Sequence, residues 1–209
     1  MKITKYVHAC LLIQTPDRVA VFDPGMMSES SFPVDQIDQL DDIIITHIHG
    51  DHFSPSFVQS LVAKFPGVLI TAPTEVVLAL AKQGVSASDR PSPGVEFFDS
   101  PHESVQPLYP QPEQIGVHYL DQLSHPGDNH SFTETKAILA LPITGPWGSA
   151  VKALNLALKL KPEYIVPIHD WHWRDEARHQ IYDSFEAILK EQGITFLKPK
   201  TGEPLEIDL

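Results

Sequence analysis

The spacing of apolar positions changes along the chain, and that change predicts where strands give way to helices. Ile3, Val7 and Leu11-Leu12-Ile13 lead into Thr15-Pro16-Asp17, and Val19-Ala20-Val21-Phe22 follows. This pattern predicts one hairpin over the first 22 residues. Asp23-Pro24-Gly25 ends the return strand sharply, and a loop of Ser, Met and Pro leads to the buried-strand run Ile43-Ile44-Ile45. Beyond residue 53 the spacing becomes helical. Ser54-Pro55 reads as an N-cap and first helical residue, with Phe57, Val58, Leu61, Val62 and Phe65 on one face. Val68-Leu69-Ile70 predicts a short strand, and Thr74 is expected to cap a helix over 75–83 that Gly84 closes. Strand-like runs return at 95–98, 117–120 and 137–143. A helix over about 149–160, a strand over 164–168 and a long helix over roughly 174–192 follow, the last ending at Gly193. Two short apolar stretches, 194–197 and 205–207, finish the chain.

Hairpins first and strand–helix alternation later predict an α/β protein with sheet inside and helices outside. The length of 209 residues and mass of 23.3 kDa fit one domain spanning 1–209. An apolar fraction of 42% with 20% charged residues excludes disorder and collagen-like repeats. Fifteen Lys plus Arg against 27 Asp plus Glu give a net charge of −12, which argues against sequence-independent gripping of nucleic acid. No run approaches the ~18 apolar residues of a membrane span, and the apolar N-terminal stretch is broken by His8 and ended by Asp17-Arg18. A cytoplasmic protein with neither nucleic-acid nor membrane partner is therefore expected. A second copy of the chain stays open as a partner. The final helix, with Ile181, Phe185, Ile188 and Leu189, packs either internally or on such a copy.

Composition changes the picture in one place. Eleven histidines nearly match the fifteen Lys plus Arg, and His is the commonest metal ligand. The single cysteine, Cys10, excludes an intramolecular disulfide and every Cys-rich zinc motif. Three His and one Asp crowd into Thr46-His47-Ile48-His49-Gly50-Asp51-His52, directly after a buried strand and before a helix. Imidazole with carboxylate suits zinc, iron or manganese rather than calcium, which takes oxygen ligands only. In a tight loop His47 and His49 can face one way and Asp51 and His52 the other, so that one segment seeds two adjacent metal sites. Catalytic ions take about three protein donors each, so a pair sharing one bridging residue needs roughly six or seven. Three further candidates fit, each where a strand gives way to a loop: His102 after 95–98, Asp128 after Gly127, and His169 after Tyr164-Ile165-Val166-Pro167-Ile168.

On Asp23-Pro24-Gly25, the Thr46 to His52 segment, His102, Gly127-Asp128 and Pro167-Ile168-His169, the chain resembles the metallo-β-lactamase superfamily. The order and spacing agree over residues 8–172. It looks most like the compact branch that includes ascorbate-6-phosphate lactonase and related hydrolases. The resemblance implies a four-layer αβ/βα sandwich, two central sheets flanked by helices. It implies two divalent metal ions, zinc foremost, with manganese, nickel or iron accepted by the same donors. One ion would take His47, His49 and His102, the other Asp51, His52 and His169, with Asp128 bridging. Asp23 would orient a ligand histidine. Antibiotic-hydrolysing relatives place a cysteine among the second ion's ligands, whereas Cys10 lies outside the motifs, which argues against a β-lactam substrate.

The activity implied is hydrolysis of a small ester, lactone or phosphodiester. Two such ions would supply the nucleophile by lowering the pKa of a bound water from about 15.7 towards ~7. Asp51, Asp128 and His130 are the residues expected nearest the reaction, and no organic cofactor site is read. Rival readings on the same scaffold are an iron-dependent redox enzyme and a non-catalytic metal-binding member. His130, two residues beyond Asp128, either meets substrate and donates a proton or serves a bland role. His125 is expected to be structural. His8, His118 and His179 are expected to be ordinary packed or exposed histidines. His172, in Asp170-Trp171-His172-Trp173, belongs to an aromatic cluster that walls the pocket or packs in the core. Glu103 and Asn129 flank proposed donors. Trp147, in Gly145-Pro146-Trp147-Gly148, either approaches substrate or marks a turn.

Overall fold

Two mixed six-stranded sheets carry the fold. The computed structural model describes residues Met1–Asp208. Its backbone divides into two compact units, one built from Met1–Pro93, Pro112–Gln114 and the stretch from Pro199 onward, the other from Gly94–Gln111 and Ile115–Lys198.

In the first unit the strands are β1 (Lys2–Lys5), β2 (Leu11–Gln14), β3 (Val19–Phe22), β4 (Asp42–Ile44) and β5 (Leu69–Thr71), with β12 (Pro204–Glu206) returning beside β1. The first 22 residues are thus three strands rather than one hairpin. Lys5 pairs with Leu11, so the chain reverses between them. Tyr6 N–H donates to the Cys10 carbonyl at 2.8 Å, and His8 takes a left-handed φ of 66° at the apex. The apolar run continues on both sides of His8, and that continuity hides the reversal in the sequence.

β3, β4 and β5 run parallel, joined after β4 by the crossover helix α1 (Pro55–Lys64). Its N-cap is as expected: the Ser54 hydroxyl accepts from Phe57 N–H at 3.3 Å. Phe57, Val58 and Leu61 bury against Leu12, Val21, Ile43 and Ile45 in one core. Helix α2 (Thr74–Ala81) departs from expectation at its start. Pro73 occupies the cap position, and Thr74, already helical, gives its hydroxyl to Asp89.

The second unit holds β6 (Val95–Phe98), β7 (Gly116–Tyr119), β8 (Leu123–His125), β9 (Ile138–Pro142), β10 (Tyr164–Ile168) and β11 (Thr195–Phe196). β6, β7 and β8 are antiparallel, and β8 to β11 are parallel. Parallel strands need crossovers. Helix α3 (Ala150–Leu160) joins β9 to β10, and α4 (Asp175–Lys190) joins β10 to β11. Tyr182, Phe185 and Leu189 of α4 bury against Ile165, Leu141 and Phe196, while Ile188 stays exposed. Among the described residues, no helix is long and apolar enough to cross a membrane.

Topology then fixes where chemistry can gather. In the first unit, β3 and β4 end at one edge, and β2 begins there, since Leu11 pairs with Phe22 and Phe22 with Ile44. Asp23, the segment 45–53 and the β1–β2 turn share that edge. In the second unit, the loops after β8, β9 and β10 share the carboxyl edge of their parallel strands, where ligands gather in α/β sheets.

One contact at the first edge leaves no space. A Cβ on Gly25 would lie 1.8 Å from the Asp51 carbonyl oxygen and 2.8 Å from His52 N. Gly25→Ala must therefore push the two segments apart, and we expect a loss of about 2–4 kcal/mol. The control is Gly67→Ala, where nothing lies within 4 Å. Thermal unfolding should show a drop of several degrees for the first variant and almost none for the second.

Candidate metal centre

At the first unit's edge, one buried carboxylate organises the donors. Asp23 Oδ1 accepts from Thr46 N–H at 2.7 Å, and Oδ2 accepts from the Thr46 hydroxyl at 2.9 Å and from His52 Nδ1–H at 2.7 Å. An ionised carboxylate only accepts, so both neighbours must donate. With its proton committed to Asp23, the Thr46 hydroxyl can only accept from His47 Nδ1–H, at 3.1 Å. The chain His47→Thr46→Asp23←His52 therefore fixes two imidazoles with their protons on Nδ1, so that each offers an Nε2 lone pair. This is how proteins prepare histidine for metal binding.

The segment itself is tightly turned. His52 N–H and Phe53 N–H both donate to the His49 carbonyl, at 3.0 and 2.8 Å. The rings of His47 and His52 lie 4.1 Å apart and those of His47 and His49 4.8 Å. Ligand atoms of His47 and His49 lie within 4.8 Å of each other, and so do those of His8, Asp51 and His52. His8 was expected to be an ordinary packed residue. Instead its Nε2 stands 3.1 Å from Asp51 Oδ2. Cys10 stays out of the chemistry, because burial pushes its thiol far above the ordinary range and keeps it protonated.

The second unit gathers its donors about Asp128, itself buried. Its Oδ2 lies 3.1 Å from His169 Nε2 and 3.5 Å from His102 Nε2. It also accepts from the Trp147 indole N–H at 3.0 Å. His102 Nδ1–H donates to the Glu103 carbonyl at 2.5 Å, which again leaves Nε2 as the ligand atom. His169 holds a left-handed φ of 61°, and the next residue anchors it. The buried Asp170 carboxylate accepts from the Tyr182 hydroxyl and faces Arg178, both on α4.

The supporting residues sort by their bonds. The Glu103 carboxylate accepts from His130 N–H and the Ser131 hydroxyl, and Asn129 bonds to Pro101, Ser131 and Phe132. Together they lock the His102 loop to the Asp128 loop. His125 is buried, its Nδ1 accepting from Gly127 N–H at 3.2 Å, so it shapes the turn before Asp128. His130 donates Nε2–H to the Pro142 carbonyl at 2.6 Å and packs 5.0 Å from the Trp147 ring, and burial pushes its pKa below the ordinary range. His118 stacks on Phe98, and His179 is exposed. Trp171 is exposed, whereas Trp173 packs against the second unit's core. Trp147 is both a turn residue and a partner of Asp128. Its Gly-Pro-Trp-Gly setting is visible in the sequence, but the Asp128 bond is not.

The donor chemistry fits divalent transition metals. Neutral imidazoles with fixed Nε2 lone pairs sit with carboxylates at ligand spacing, a set that suits zinc, iron or manganese and not calcium.

Similarity to known proteins agrees. A family model described as the beta-lactamase superfamily domain matches residues 2–169. The chain belongs to that superfamily. Similar proteins include Protein Rv0786c of Mycobacterium tuberculosis, 26% identical over 94% of this chain and all of that protein. Another is the UPF0173 metal-dependent hydrolase PF1764 of Pyrococcus furiosus, 25% identical over 99% of this chain and all of that protein. Among solved structures, Igni18, a metallo hydrolase from Ignicoccus hospitalis, superposes with a TM-score of 0.71 at 18% identity over 99% of both chains. At that identity the likeness speaks for the fold: two mixed sheets flanked by helices, the superfamily's architecture and the α/β class expected.

Replacing Asp23 tests the network. An asparagine has one accepting oxygen where three donors converge, so Asp23→Asn leaves an N–H facing an N–H inside the protein. We expect a loss of about 1.5–3 kcal/mol, read as a lower thermal midpoint in chelator-treated protein. An unchanged midpoint would count against the donor assignments.

Proposed function

We propose that this chain is a metal-dependent hydrolase that cleaves a small ester, lactone or phosphodiester. The observation that carries the reading is the Asp23 network. It commits a buried charge to fixing two histidines in the tautomer that presents Nε2 as the ligand atom. The superfamily membership and the relatives' metal-dependent character support it. The ligand assignment proposed is His47, His49 and His102 for one ion and Asp51, His52 and His169 for the other, with Asp128 between them.

When bound, a pair of divalent ions, zinc foremost, supplies a nucleophile from water at neutral pH and Lewis-acid stabilisation of developing charge. The chain's own residues do the rest. Asp23 holds His52 directly and His47 through Thr46, so neither ring can rotate away from its ligand role. Trp147 takes one hydrogen bond at Asp128 Oδ2, which restrains how that carboxylate turns. His130 enters through Trp147, whose ring it backs. Asp51 and Asp128 bring negative charge to the donors and so favour divalent cations over water alone. The lactonase-like branch belongs to this proposal as a guide to substrate.

Chelation should abolish turnover of a panel of lactones, thioesters and phosphodiesters, and added zinc should restore it. His49→Ala should bind less metal, by inductively coupled plasma spectrometry, with its melting behaviour retained. Full turnover in metal-free protein would sink the proposal. One tightly held iron per chain, with no hydrolysis, would favour the redox reading instead.

A further inference from the structure

His8 stands outside the expected donor set, in a turn the sequence did not reveal. Its ring is buried, with its side chain only 2% exposed. The backbone beneath it is held from two sides. The Ser28 hydroxyl donates to the Val7 carbonyl at 2.7 Å, and Tyr6 N–H donates to the Cys10 carbonyl at 2.8 Å. His8 itself sits at φ 66°, a conformation that non-glycine residues keep only where surrounding structure enforces it.

The separations around Asp51 have the spacing of ligands on one ion. With metal–ligand bonds of about 2.0–2.2 Å in tetrahedral array, neighbouring donor atoms lie roughly 3.3–3.6 Å apart. His8 Nε2 lies 3.1 Å from Asp51 Oδ2, and His52 Nε2 lies 4.0 Å from the same oxygen. The two values bracket that range. The rings of His8 and His52 meet edge-on at 5.6 Å between centroids, so each can aim a nitrogen at a common point without stacking.

We propose that His8 is itself a metal ligand, so that His8, Asp51 and His52 form a three-donor set within the first unit alone. The assignment rests on the metal-dependent reading above and makes its two ions unequal. The ion at Asp51 then has one protein donor more than that reading assigns it, whereas the ion at His47 and His49 does not. The Asp51 ion should load first and leave last under chelation.

The test uses cadmium-113 as the probe on full-length protein with nitrogen-15-labelled histidine. In doubly loaded wild type, His8 Nε2 should show scalar coupling to cadmium, alongside the other ligand histidines. The variant is His8→Asn, because asparagine tolerates the left-handed backbone that alanine would strain. It should keep the fold and hold one of its two ions at least ~tenfold more weakly. If doubly loaded wild type shows no coupling at His8, the assignment falls, whatever the variant does. If wild type takes up no cadmium at all, the metal reading falls first, so the two failures are distinguishable.

Discussion

A carboxylate with no exposed surface is the constraint on which the first unit's donor edge depends. Burying the Asp23 charge is costly unless hydrogen bonds replace its water. Three donors do so, and all three come from the segment that carries the histidines. The chain cannot satisfy Asp23 without bringing Thr46 and His52 to it, and it cannot bring them there without setting the tautomers of His47 and His52. Folding energy and ligand preparation are the same hydrogen bonds. Gly25 belongs to this constraint, because only a residue without Cβ lets the Asp23 turn lie against the backbone of Asp51 and His52. Met26 N–H to the Gly50 carbonyl, at 2.8 Å, and Ser54 N–H to the Pro24 carbonyl, at 2.9 Å, close the same contact from either side.

The second unit solves the problem differently. Its buried anion, Asp128, gathers the histidines without fixing the loops that carry them. Asp128 is faced by His102, His169 and Trp147, and loops from three places in the chain must each be fixed separately. Glu103 and Asn129 lock the first loop to the second, and Asp170 ties the third to α4 through Tyr182 and Arg178. The long final helix thus has a local purpose beyond closing the core. It holds the corner on which His169 stands.

The sequence made the donor loop legible because local rules govern it: a buried strand, a dense polar segment, then a capped helix. The ends of β6 and β10 were legible for the same reason. Two features were not. The β1–β2 reversal is invisible to apolar periodicity, since Val7 and Ala9 continue the run and a single histidine between them looks like noise. Only the pairing of Lys5 with Leu11 reveals that His8 is an apex. Trp147 was visible as a residue in a Gly-Pro turn, but its bond to Asp128 spans 19 positions and leaves no local signature. Long-range hydrogen bonds of this kind are set by sheet order, and sheet order is not written in the spacing of neighbouring residues.

Backbone strain follows the same geography. Among the described residues, six non-glycine positions have positive φ, and His8, Asp23 and His169 are three of them. Each such residue costs of order 1–2 kcal/mol. A chain under selection for stability alone would place glycine or asparagine there. Instead these three positions carry two candidate metal ligands and the carboxylate that anchors the donor loop. At each of the three positions the neighbouring hydrogen bonds offset the strain: Ser28 to Val7, Thr46 and His52 to Asp23, Tyr182 to Asp170. The net charge of −12 therefore says little about what the donor edges attract. What matters there is the direction in which a few strained residues point their lone pairs.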